Sequence, residues 1–387
     1  MNKKIIFILL VLSFVSGCQY IGSNKEATTI YTKYHQGYQG LDIKFVTSSP
    51  PSVVYDQPNS FFADRDEINF LIEIRNKGAF DIGTTISDRP FGTGYLLLHG
   101  YDEVILQNLK PTDRKGGIIY LDELDCYGEG VEGKSMYNSD GGLIVIEYPP
   151  KSNKLGCPSL PYYSSIFLTS DYYRPNIVAT ACYEYYTEAS PQVCIDPDPY
   201  SERVDKSCVV SGISSVSGKS AKSYIAAIEG ISGGQGAPVA VTNIEEEAMP
   251  GRAQFEIHIK NSGSGEVMHL DSIYDERCGF PSELSYSDFD YVHYVVTMND
   301  PNTPVVTVPL TSEIGINLGL LTVSGKQLDC SPKSPIRLDQ NGMAVIYCNT
   351  ANFDLFEKTA YKTPLNIILH YGYTNSAYKI MEIRSTT

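Results

Sequence analysis

The sequence predicts an all-β fold built from two tandem β-sandwich modules, and three observations support this. An alternating strand, Phe70–Gly78, recurs as Phe255–Gly263, with Phe, Ile, Ile, Asn and Gly at matching positions. A second motif, Tyr183-Glu-Tyr185, corresponds to Tyr371-Gly-Tyr373 near the end of each module. Short strand-like runs separated by turn residues, with little helical periodicity, occur throughout both modules, which is typical of a sandwich.

The repeated strand has apolar residues at every second position, which predicts one buried face and one solvent-exposed face. Its Asn-x-Gly ending predicts a turn, because both residue types tolerate a positive φ angle better than most. His258 replaces Glu73 on the outward face, so we expect a surface side chain. The six histidines show no metal-ligand spacing, and a structural role is expected for them. They are His35, His99, His258, His269, His293 and His370.

The composition limits the class of protein. A length of 387 residues suits two domains with linkers, and 42% hydrophobic residues are enough for a core in each. Only 19% of the residues are charged while 29 are Tyr, a profile typical of extracellular β proteins. The formal net charge of −15 argues against nucleic acid as a partner and against electrostatic docking to anionic lipid.

The N-terminus predicts export. Asn2–Lys4 is a basic segment, and the apolar run Ile5–Val15 is too short to span a bilayer but suits a secretory signal peptide over residues 1–17. The Ser-Gly-Cys ending resembles the lipobox of exported lipoproteins, and this resemblance implies cleavage before Cys18 and lipidation of it. Ordinary signal cleavage nearby, with Cys18 removed or free, is the alternative. The predicted location is the outer face of the cell membrane, with the lipid as anchor.

The remaining eight cysteines favour disulfides, because an even number in an exported chain points to pairing and no C-x-x-C is present. Cys182–Cys194 and Cys330–Cys348 are the predicted local pairs. If module one ends after Cys208, its five cysteines require an odd number of bridges to module two; otherwise the division is four and four. The candidates are Cys126, Cys157, Cys182, Cys194, Cys208, Cys278, Cys330 and Cys348.

Residues 18–40 are polar and are predicted to be a tether. A strand donated to a neighbour's sheet is the alternative, since Thr28–Tyr34 alternates loosely. Module one, 41–205, begins with the strand Leu41–Val46, which Pro50-Pro51 ends. Its other predicted strands are Gly94–His99, Glu103–Leu106, Gly117–Leu121, Leu143–Tyr148, Ser165–Leu168 and Ile177–Tyr186.

Between the modules, the two prolines of Cys194–Tyr200 predict a rigid extended hinge. Residues 206–237 are rich in Ser and Gly and are predicted to be a flexible linker, with a short helix at Ala221–Glu229. Module two comprises 238–387. Besides the repeat, its predicted strands are Tyr291–Val296, Thr307–Leu310, Asn317–Val323, Ala344–Cys348 and Leu365–Tyr373.

The F-x-I-x-I-x-N-x-G strand in an exported β module resembles the immunoglobulin-like, CARDB-type adhesion domains of prokaryotic surface proteins. The segments ACYEYYTEASPQVCIDPDPYS (Ala181–Ser201) and QGAPVAV (Gln235–Val241) resemble an uncharacterised family of archaeal surface proteins. The resemblance covers roughly 41–205 and 238–384. It implies two tandem immunoglobulin-like β-sandwich domains, the first enlarged by insertions or extra strands, and a non-catalytic adhesive or scaffolding role.

Two glycine-rich motifs are interpreted as loops. Gly128–Ser135 matches the P-loop pattern, but turn residues rather than a helix follow it, and Glu129 and Glu132 would repel phosphate. No nucleotide is therefore expected. Gly230–Gly234 matches G-x-S-x-G, but it lies in the Ser/Gly-rich linker without the strand and helix of a nucleophile elbow.

Acidic pairs in turns leave calcium open as a weak structural ligand, with Asp196 and Asp198 at the hinge as its predicted ligands. Solvated turns are the alternative for all of these acidic pairs, including those around Asp64 and Asp288, and no other cofactor is predicted. The tyrosine pairs could stack on sugar rings, but half-buried strand positions explain them better. These pairs are Tyr162/Tyr163, Tyr172/Tyr173 and Tyr185/Tyr186.

The sequence thus predicts a non-catalytic, lipid-anchored surface protein with an adhesive, scaffolding or envelope-assembly role. The alternative is a lipoprotein that captures a solute or glycan at the module interface. A deep polar cleft at the junction of the modules would favour capture, and a flat junction would favour adhesion. A hydrolase is disfavoured because no nucleophile and base can be assembled from the sequence.

Overall fold

The computed structural model describes residues 35–56, 68–86, 89–107, 109–110, 115–151, 165–166, 168, 170–200, 206–210, 213–214, 223–227, 233–298, 306–311, 317–323, 325–350 and 359–385. Within these ranges the predicted all-β class is confirmed. The strands up to residue 205 are β1 (Leu41–Phe45), β2 (Val53–Asp56), β3 (Phe70–Asn76), β4 (Thr84–Ile86), β5 (Arg89–Phe91), β6 (Gly94–His99), β7 (Leu106–Gln107), β8 (Ile119–Tyr120), β9 (Leu143–Tyr148), β10 (Ser165–Ile166), β11 (Tyr172–Tyr173), β12 (Asn176–Ala189) and β13 (Gln192–Ile195).

The later strands are β14 (Ile213–Ser214), β15 (Ser223–Ala227), β16 (Val239–Met249), β17 (Arg252–Asn261), β18 (Glu266–Met268), β19 (Tyr291–Met298), β20 (Val306–Thr311), β21 (Asn317–Val323), β22 (Lys326–Gln327), β23 (Asp329–Ser331), β24 (Ile336–Arg337), β25 (Met343–Asn349), β26 (Tyr361–Ile380) and β27 (Glu382–Ser385). The helical elements of the described residues are α1 (Leu270–Tyr274) and the 3₁₀ helices Lys115–Gly117, Pro281–Glu283 and Tyr286–Asp288.

The repeated strand occupies the same place in both modules. In module one it is β3, the centre of the antiparallel sheet β1-β3-β9. In module two it is β17, which lies between β16 and β25 in a six-stranded sheet. The apolar side chains of β3 and β17 are buried at every second position, as the alternation predicted. We call these two sheets the outer sheets.

A third sheet faces both outer sheets and takes strands from both modules. Its order is β22-β19-β26-β12-β6-β8, with β13 and β18 also paired to β26 and β24 paired to β19. The pair at its centre joins the last long strand of each module, because β12 is antiparallel to β26 over fourteen residues, Asn176–Ala189. We call this the shared sheet. The two outer sheets thus pack against one common layer in a sandwich-like arrangement.

The hydrophobic core follows from this arrangement. One continuous cluster contains buried side chains of both outer sheets and of the shared sheet, including Phe70, Phe255, Tyr183 and Tyr371, none of them accessible to solvent. A smaller cluster lies on the opposite face of the shared sheet, under the segment that contains α1. The shared sheet is therefore covered on its inner face and covered in part on its outer face.

The region between the modules differs from the sequence prediction. The predicted helix Ala221–Glu229 is wrong, because β15 lies there and pairs with β16, from Tyr224 opposite Ala248 onwards. Pairing with the edge of an existing sheet satisfies the backbone, and such tertiary contacts override weak helix propensity. The predicted hinge begins inside β13, which pairs with β26, so the chain is extended here as part of the shared sheet.

No helix in the described ranges is long and apolar enough to cross a membrane. Several predictions lie outside the described residues. They concern the signal peptide with Cys18, the segment Thr28–Tyr34, the turn at Asp64, and Cys157.

Candidate functional site

The β12–β26 pair relates the two modules by an approximate two-fold symmetry. Tyr183 lies opposite Tyr373, and Tyr185 lies opposite Tyr371, with Glu184 between the two tyrosines of its strand. Exchanging the modules therefore maps each tyrosine onto its counterpart in the repeated motif. Since side chains alternate across a strand, the four tyrosines share the face toward the outer sheets, and Glu184 points to the other face.

On this inner face, equivalent tyrosines bind equivalent backbone groups. The Tyr183 hydroxyl accepts a hydrogen bond from the Leu41 amide at 3.0 Å, at the start of β1. The Tyr371 hydroxyl accepts one from the Val239 amide at 3.1 Å, at the start of β16. Each hydroxyl also bonds a side chain of the opposite central strand. These tyrosines fasten the first strand of each module to the shared sheet.

The second tyrosine of each motif reaches the turn after the repeated strand. The Tyr185 hydroxyl accepts a hydrogen bond from the Phe80 amide at 3.2 Å, and the Tyr373 hydroxyl accepts one from the Gly265 amide at 2.9 Å. In both modules the Asn of the Asn-x-Gly motif closes this turn. The side-chain amide of Asn76 donates a hydrogen bond to the Phe80 carbonyl, and that of Asn261 donates one to the Gly265 carbonyl. The two repeated motifs therefore meet in space.

This contact explains the glycine of the motif and corrects the sequence interpretation. Neither Gly78 nor Gly263 has a positive φ angle. Instead, a Cβ at Gly78 would lie 1.7 Å from the Tyr185 hydroxyl, and one at Gly263 would lie 2.4 Å from the Tyr373 hydroxyl. Glycine is required here because a tyrosine hydroxyl occupies the space of a side chain, and at Gly78 the carbonyl oxygens of Gln39 and Gly236 would also lie 2.6 Å from a Cβ.

The outer face of the same strand pair is not symmetric. Glu184 and His370 are both buried, and Glu184 Oε1 lies 2.6 Å from His370 Nε2. The same carboxylate accepts hydrogen bonds from the Tyr186 hydroxyl at 2.9 Å and from the Thr93 amide at 3.1 Å. Burial opposes ionisation of Glu184, but His370 and these donors together hold the pKa of its carboxyl below the ordinary value. A buried carboxylate–imidazole hydrogen bond thus joins the modules.

Three of the six histidines meet next to this pair. The His370 ring is stacked on Tyr186 at 4.0 Å between centroids, and the rings of His293 and His269 follow at 6.4 Å and 5.6 Å. Burial, together with the neighbouring histidines, lowers the pKa of His293 to about 4. No group of three or more His, Cys, Asp or Glu side chains in the described ranges could hold a metal ion. We therefore interpret this cluster as structural.

An open groove lies beside the cluster on the same outer face. Its volume is about 510 Å³, and it is lined by β6 and β12 of module one and by β18, β26 and the segment after α1 of module two. Its floor carries a chain of hydrogen bonds, with His99 Nε2 2.9 Å from the Thr180 hydroxyl and that hydroxyl 2.9 Å from the Ser376 hydroxyl. The groove therefore combines groups from both modules.

The groove carries little charge. Glu266 is the only Asp, Glu, Lys or Arg among the described residues that line it. Burial lowers the pKa of His99, and the nearby Lys110 lowers it further, so the imidazole is neutral at pH 7. One wall is fastened by a disulfide, because Cys278 in this wall is bonded to Cys182 of β12. The site is a fixed, nearly neutral groove.

Three disulfides are seen directly. Cys330–Cys348 is confirmed, whereas Cys182–Cys194 is wrong, because Cys182 is bonded to Cys278 and Cys194 to Cys208. Cys182 lies opposite Thr374 of β26, and Cys194 lies opposite Lys362 of the same strand. These positions are twelve residues apart, which is roughly 40 Å in a strand and far beyond the reach of a disulfide. Cys126 is disulfide-bonded as well. With module one ending after Cys208, Cys182–Cys278 is a bridge between the modules, as the five-and-three division requires.

One of the two predicted calcium ligands, Asp196, is paired with a lysine. The Asp196 carboxylate lies 2.8 Å from the Lys206 ammonium, and both side chains are buried. The same ammonium donates to the Asp198 carbonyl at 2.6 Å, and the Asp198 amide donates to the Asp196 carboxylate at 3.1 Å. A lysine thus takes the place in which a cation would sit, and the geometry gives the calcium prediction no support.

The other sequence candidates are dispersed. Tyr185 is buried and Tyr172 is 63% exposed, while Tyr162 and Tyr163 lie outside the described residues. Gly128–Ser135 is a loop between strands, as predicted, and the G-x-S-x-G motif lies partly outside the described residues. His258 is partly exposed on β17 beside Glu256.

No protein-family model matches the chain, and no curated protein sequence is significantly similar to it. The resemblance to CARDB-type domains stays a prediction. Sequence reasoning missed the residues that line the groove, because they come from segments that only the pairing of β12 with β26 brings together.

Proposed function

We propose that this chain is a non-catalytic surface lipoprotein, with two immunoglobulin-like modules, that captures a small ligand in the groove at their junction. The observation that carries the proposal is that both modules line one groove of about 510 Å³. Small-molecule sites typically have volumes of about 300–1,000 Å³ and combine apolar walls with a few polar groups. A groove at the junction supports capture of a ligand over adhesion through a flat junction.

Binding rather than hydrolysis fits the floor of the groove. A hydroxyl nucleophile needs a histidine base that is oriented by an acid. The Thr180 hydroxyl does bond His99, but the charge that acts on His99 is the ammonium of Lys110, not a carboxylate. The hydrogen-bond chain therefore supports recognition of a ligand and gives no activated nucleophile.

Capture at the cell surface rests on the predicted signal peptide and on Cys18. Mass spectrometry of the mature N-terminus tests the anchor, and we expect a first residue Cys18 that carries a lipid. A mature chain that begins elsewhere, or with an unmodified cysteine, would refute the anchor and leave the groove as a site of a secreted protein.

The groove is tested by thermal unfolding of the full chain in detergent, against solutes, saccharides and peptides. A ligand that binds only the folded state adds about 2.7 kcal/mol of stability at a hundredfold excess over its Kd. We expect one compound class to raise Tm, and the variant Ser376→Leu, which places an apolar side chain on the floor, to lose the effect. Ser331→Leu, on the exposed strand β23, is the matched control.

Two results would contradict the proposal. One is a panel in which no compound raises Tm. The other is a rise that Ser376→Leu retains in full, which would place the ligand elsewhere. Either result would return the adhesive or scaffolding role as the best account of the two sandwiches.

A further inference from the structure

The polar groups on the groove floor are of one kind. His99, Thr180 and Ser376 are neutral, and each hydroxyl can both donate and accept a hydrogen bond. Ser376 is the solvent-exposed end of this chain of hydrogen bonds. A neutral ligand whose own hydroxyls donate and accept would continue this chain, whereas a purely accepting ligand would use only part of it.

The charge of the groove excludes anions. Phosphate and carboxylate ligands are generally held by Arg, Lys or a cluster of backbone amides. Among the described residues that line the groove the only charged side chain is Glu266, which repels anions. The net charge of −15 on the whole chain acts in the same direction.

An apolar surface faces the polar floor and continues beyond the groove. Met268, Leu284 and Phe289 lie in the walls. On β26, Tyr378 at the end of the groove is 67% exposed, and Ile380 is 69% exposed. Residues two positions apart on a strand point to the same face, at a spacing of roughly 7 Å. Tyr378 and Ile380 therefore extend the floor as an exposed platform.

We propose that the ligand is a neutral oligosaccharide chain. Its hydroxyl groups bond the His99–Thr180–Ser376 chain, its C–H faces pack on the apolar wall, and a further sugar unit lies on the Tyr378 ring. This inference rests on the proposed function and specifies its ligand class. Tyrosine suits the role, because it offers a large apolar face without a conformational cost comparable to that of a long aliphatic side chain.

The test is a binding experiment with the full chain on a glycan array that carries neutral, cationic and anionic oligosaccharides of matched length, followed by titration calorimetry. The probes for charge are tri-N-acetylchitotriose, its deacetylated cationic trimer and trigalacturonate, beside neutral glucan, mannan and galactan trimers. We expect the neutral members to bind and the anionic trigalacturonate not to bind. Tyr378→Ala should weaken that binding about two- to tenfold, since an aromatic contact contributes about 0.5–1.5 kcal/mol.

The matched control is Tyr137→Ala, because Tyr137 is a 92% exposed tyrosine of a module-one loop. It should leave the affinity unchanged. If only charged compounds bind, and Ser376→Leu abolishes that binding, the ligand class is wrong while the proposed function stands. If a neutral trimer binds equally to wild type, Ser376→Leu and Tyr378→Ala, the site is wrong. If nothing binds, both proposals fail.

Discussion

The two faces of the β12–β26 pair differ in how well they keep the symmetry of the duplication. On the inner face, four buried tyrosines obey the symmetry of the duplication, and equivalent hydroxyls bind the equivalent amides of Leu41 and Val239. On the outer face the symmetry is lost, because Glu184 lies opposite Gly372 and Cys182 opposite Thr374. The inner face is under the same packing constraint in both modules, while the outer face has diverged.

This difference separates architecture from function. A tyrosine on the inner face contacts groups that exist in both copies, so a change there disturbs the sandwich itself. The outer face carries the Glu184–His370 contact, the inter-module disulfide and the groove, each formed by residues that are not equivalent between the modules. This asymmetry suits the single ligand proposed for the groove, since a symmetric junction would present the same groups twice.

The largest effect is expected from removing the imidazole that faces Glu184. His370→Leu leaves the buried Glu184 carboxylate without its partner at 2.6 Å, which should cost about 3–5 kcal/mol in the free energy of unfolding. Urea unfolding followed by circular dichroism measures it. The matched control is His258→Leu, because His258 is partly exposed and a surface pair contributes about 0–1 kcal/mol. Equal losses in the two variants would show that the Glu184–His370 pair has no special role.

The contribution of His370 to the stability of the buried Glu184 carboxylate can be compared with the situation of Glu246. The Glu246 side chain is also buried, at 2% exposure. Glu246 Oε2 accepts a hydrogen bond from the Cys194 amide at 3.2 Å, but Glu246 Oε1 has no hydrogen-bond partner among the described residues. Burial, and secondarily Asp196, raise the pKa of Glu246 to about 7. The two buried carboxyls of Glu184 and Glu246 thus have pKa values shifted in opposite directions.

The sign of the pH effect follows. The pKa of Glu246 is higher in the folded state than in the unfolded state, so folding favours the protonated carboxyl. The free energy of unfolding is therefore unaffected by this group below its ordinary pKa of 4.5, and it decreases as the pH rises from there to about 7. At pH 8, Glu246→Gln should therefore be more stable than wild type by on the order of 3 kcal/mol, since one pKa unit corresponds to about 1.4 kcal/mol. At pH 4 the two proteins should unfold alike. Thermal unfolding at both pH values decides, and a gain of equal size at both would show that ionisation is not the cause.

Much of the fold was accessible from the sequence because it depends on local pattern. The strands Gly94–His99, Leu143–Tyr148 and Asn317–Val323 have the predicted bounds, since each is a run with apolar residues suited to a sheet. The helix predicted at Ala221–Glu229 failed because the pairing partner of that segment lies in β16.

The site was not accessible in this way. The repeat showed that Tyr183-Glu-Tyr185 and Tyr371-Gly-Tyr373 are similar, but similarity does not tell whether two strands pair with each other. Glu184 and His370 are 186 residues apart in the sequence, and only their pairing register makes them neighbours. The sequence signal that existed was the break in the repeat itself, where Glu184 is replaced by Gly372.

On the inner face, the glycines of the repeated turn test how closely the copies match. Gly78→Ala and Gly263→Ala each place a methyl group against a tyrosine hydroxyl, and we expect losses of about 1–3 kcal/mol. Gly78→Ala should be the more harmful, because its Cβ would lie 1.7 Å from the Tyr185 hydroxyl, compared with 2.4 Å at Gly263 and Tyr373. Urea unfolding of the two variants measures both losses.

Double variants identify the cause of these losses. Removing the hydroxyl in Gly78→Ala with Tyr185→Phe should restore part of the stability, so that the double variant loses less than the sum of the single ones. Additive losses would mean that the glycine is required by the backbone rather than by the tyrosine.

The smallest effect tests the symmetry directly. Tyr183→Phe and Tyr371→Phe each remove the acceptor of one buried amide, that of Leu41 in module one and that of Val239 in module two. An unsatisfied buried donor costs about 1–3 kcal/mol, and we expect about 2 kcal/mol from each variant. The losses should agree to about 0.5 kcal/mol, since both tyrosines are fully buried and hold the first strand of a module. Hydrogen exchange should show faster exchange in β1 for Tyr183→Phe and in β16 for Tyr371→Phe. If each variant increased the exchange rates of β1 and β16 equally, the two modules would unfold as one unit. The two equivalent hydrogen bonds would then not stabilise the two modules independently.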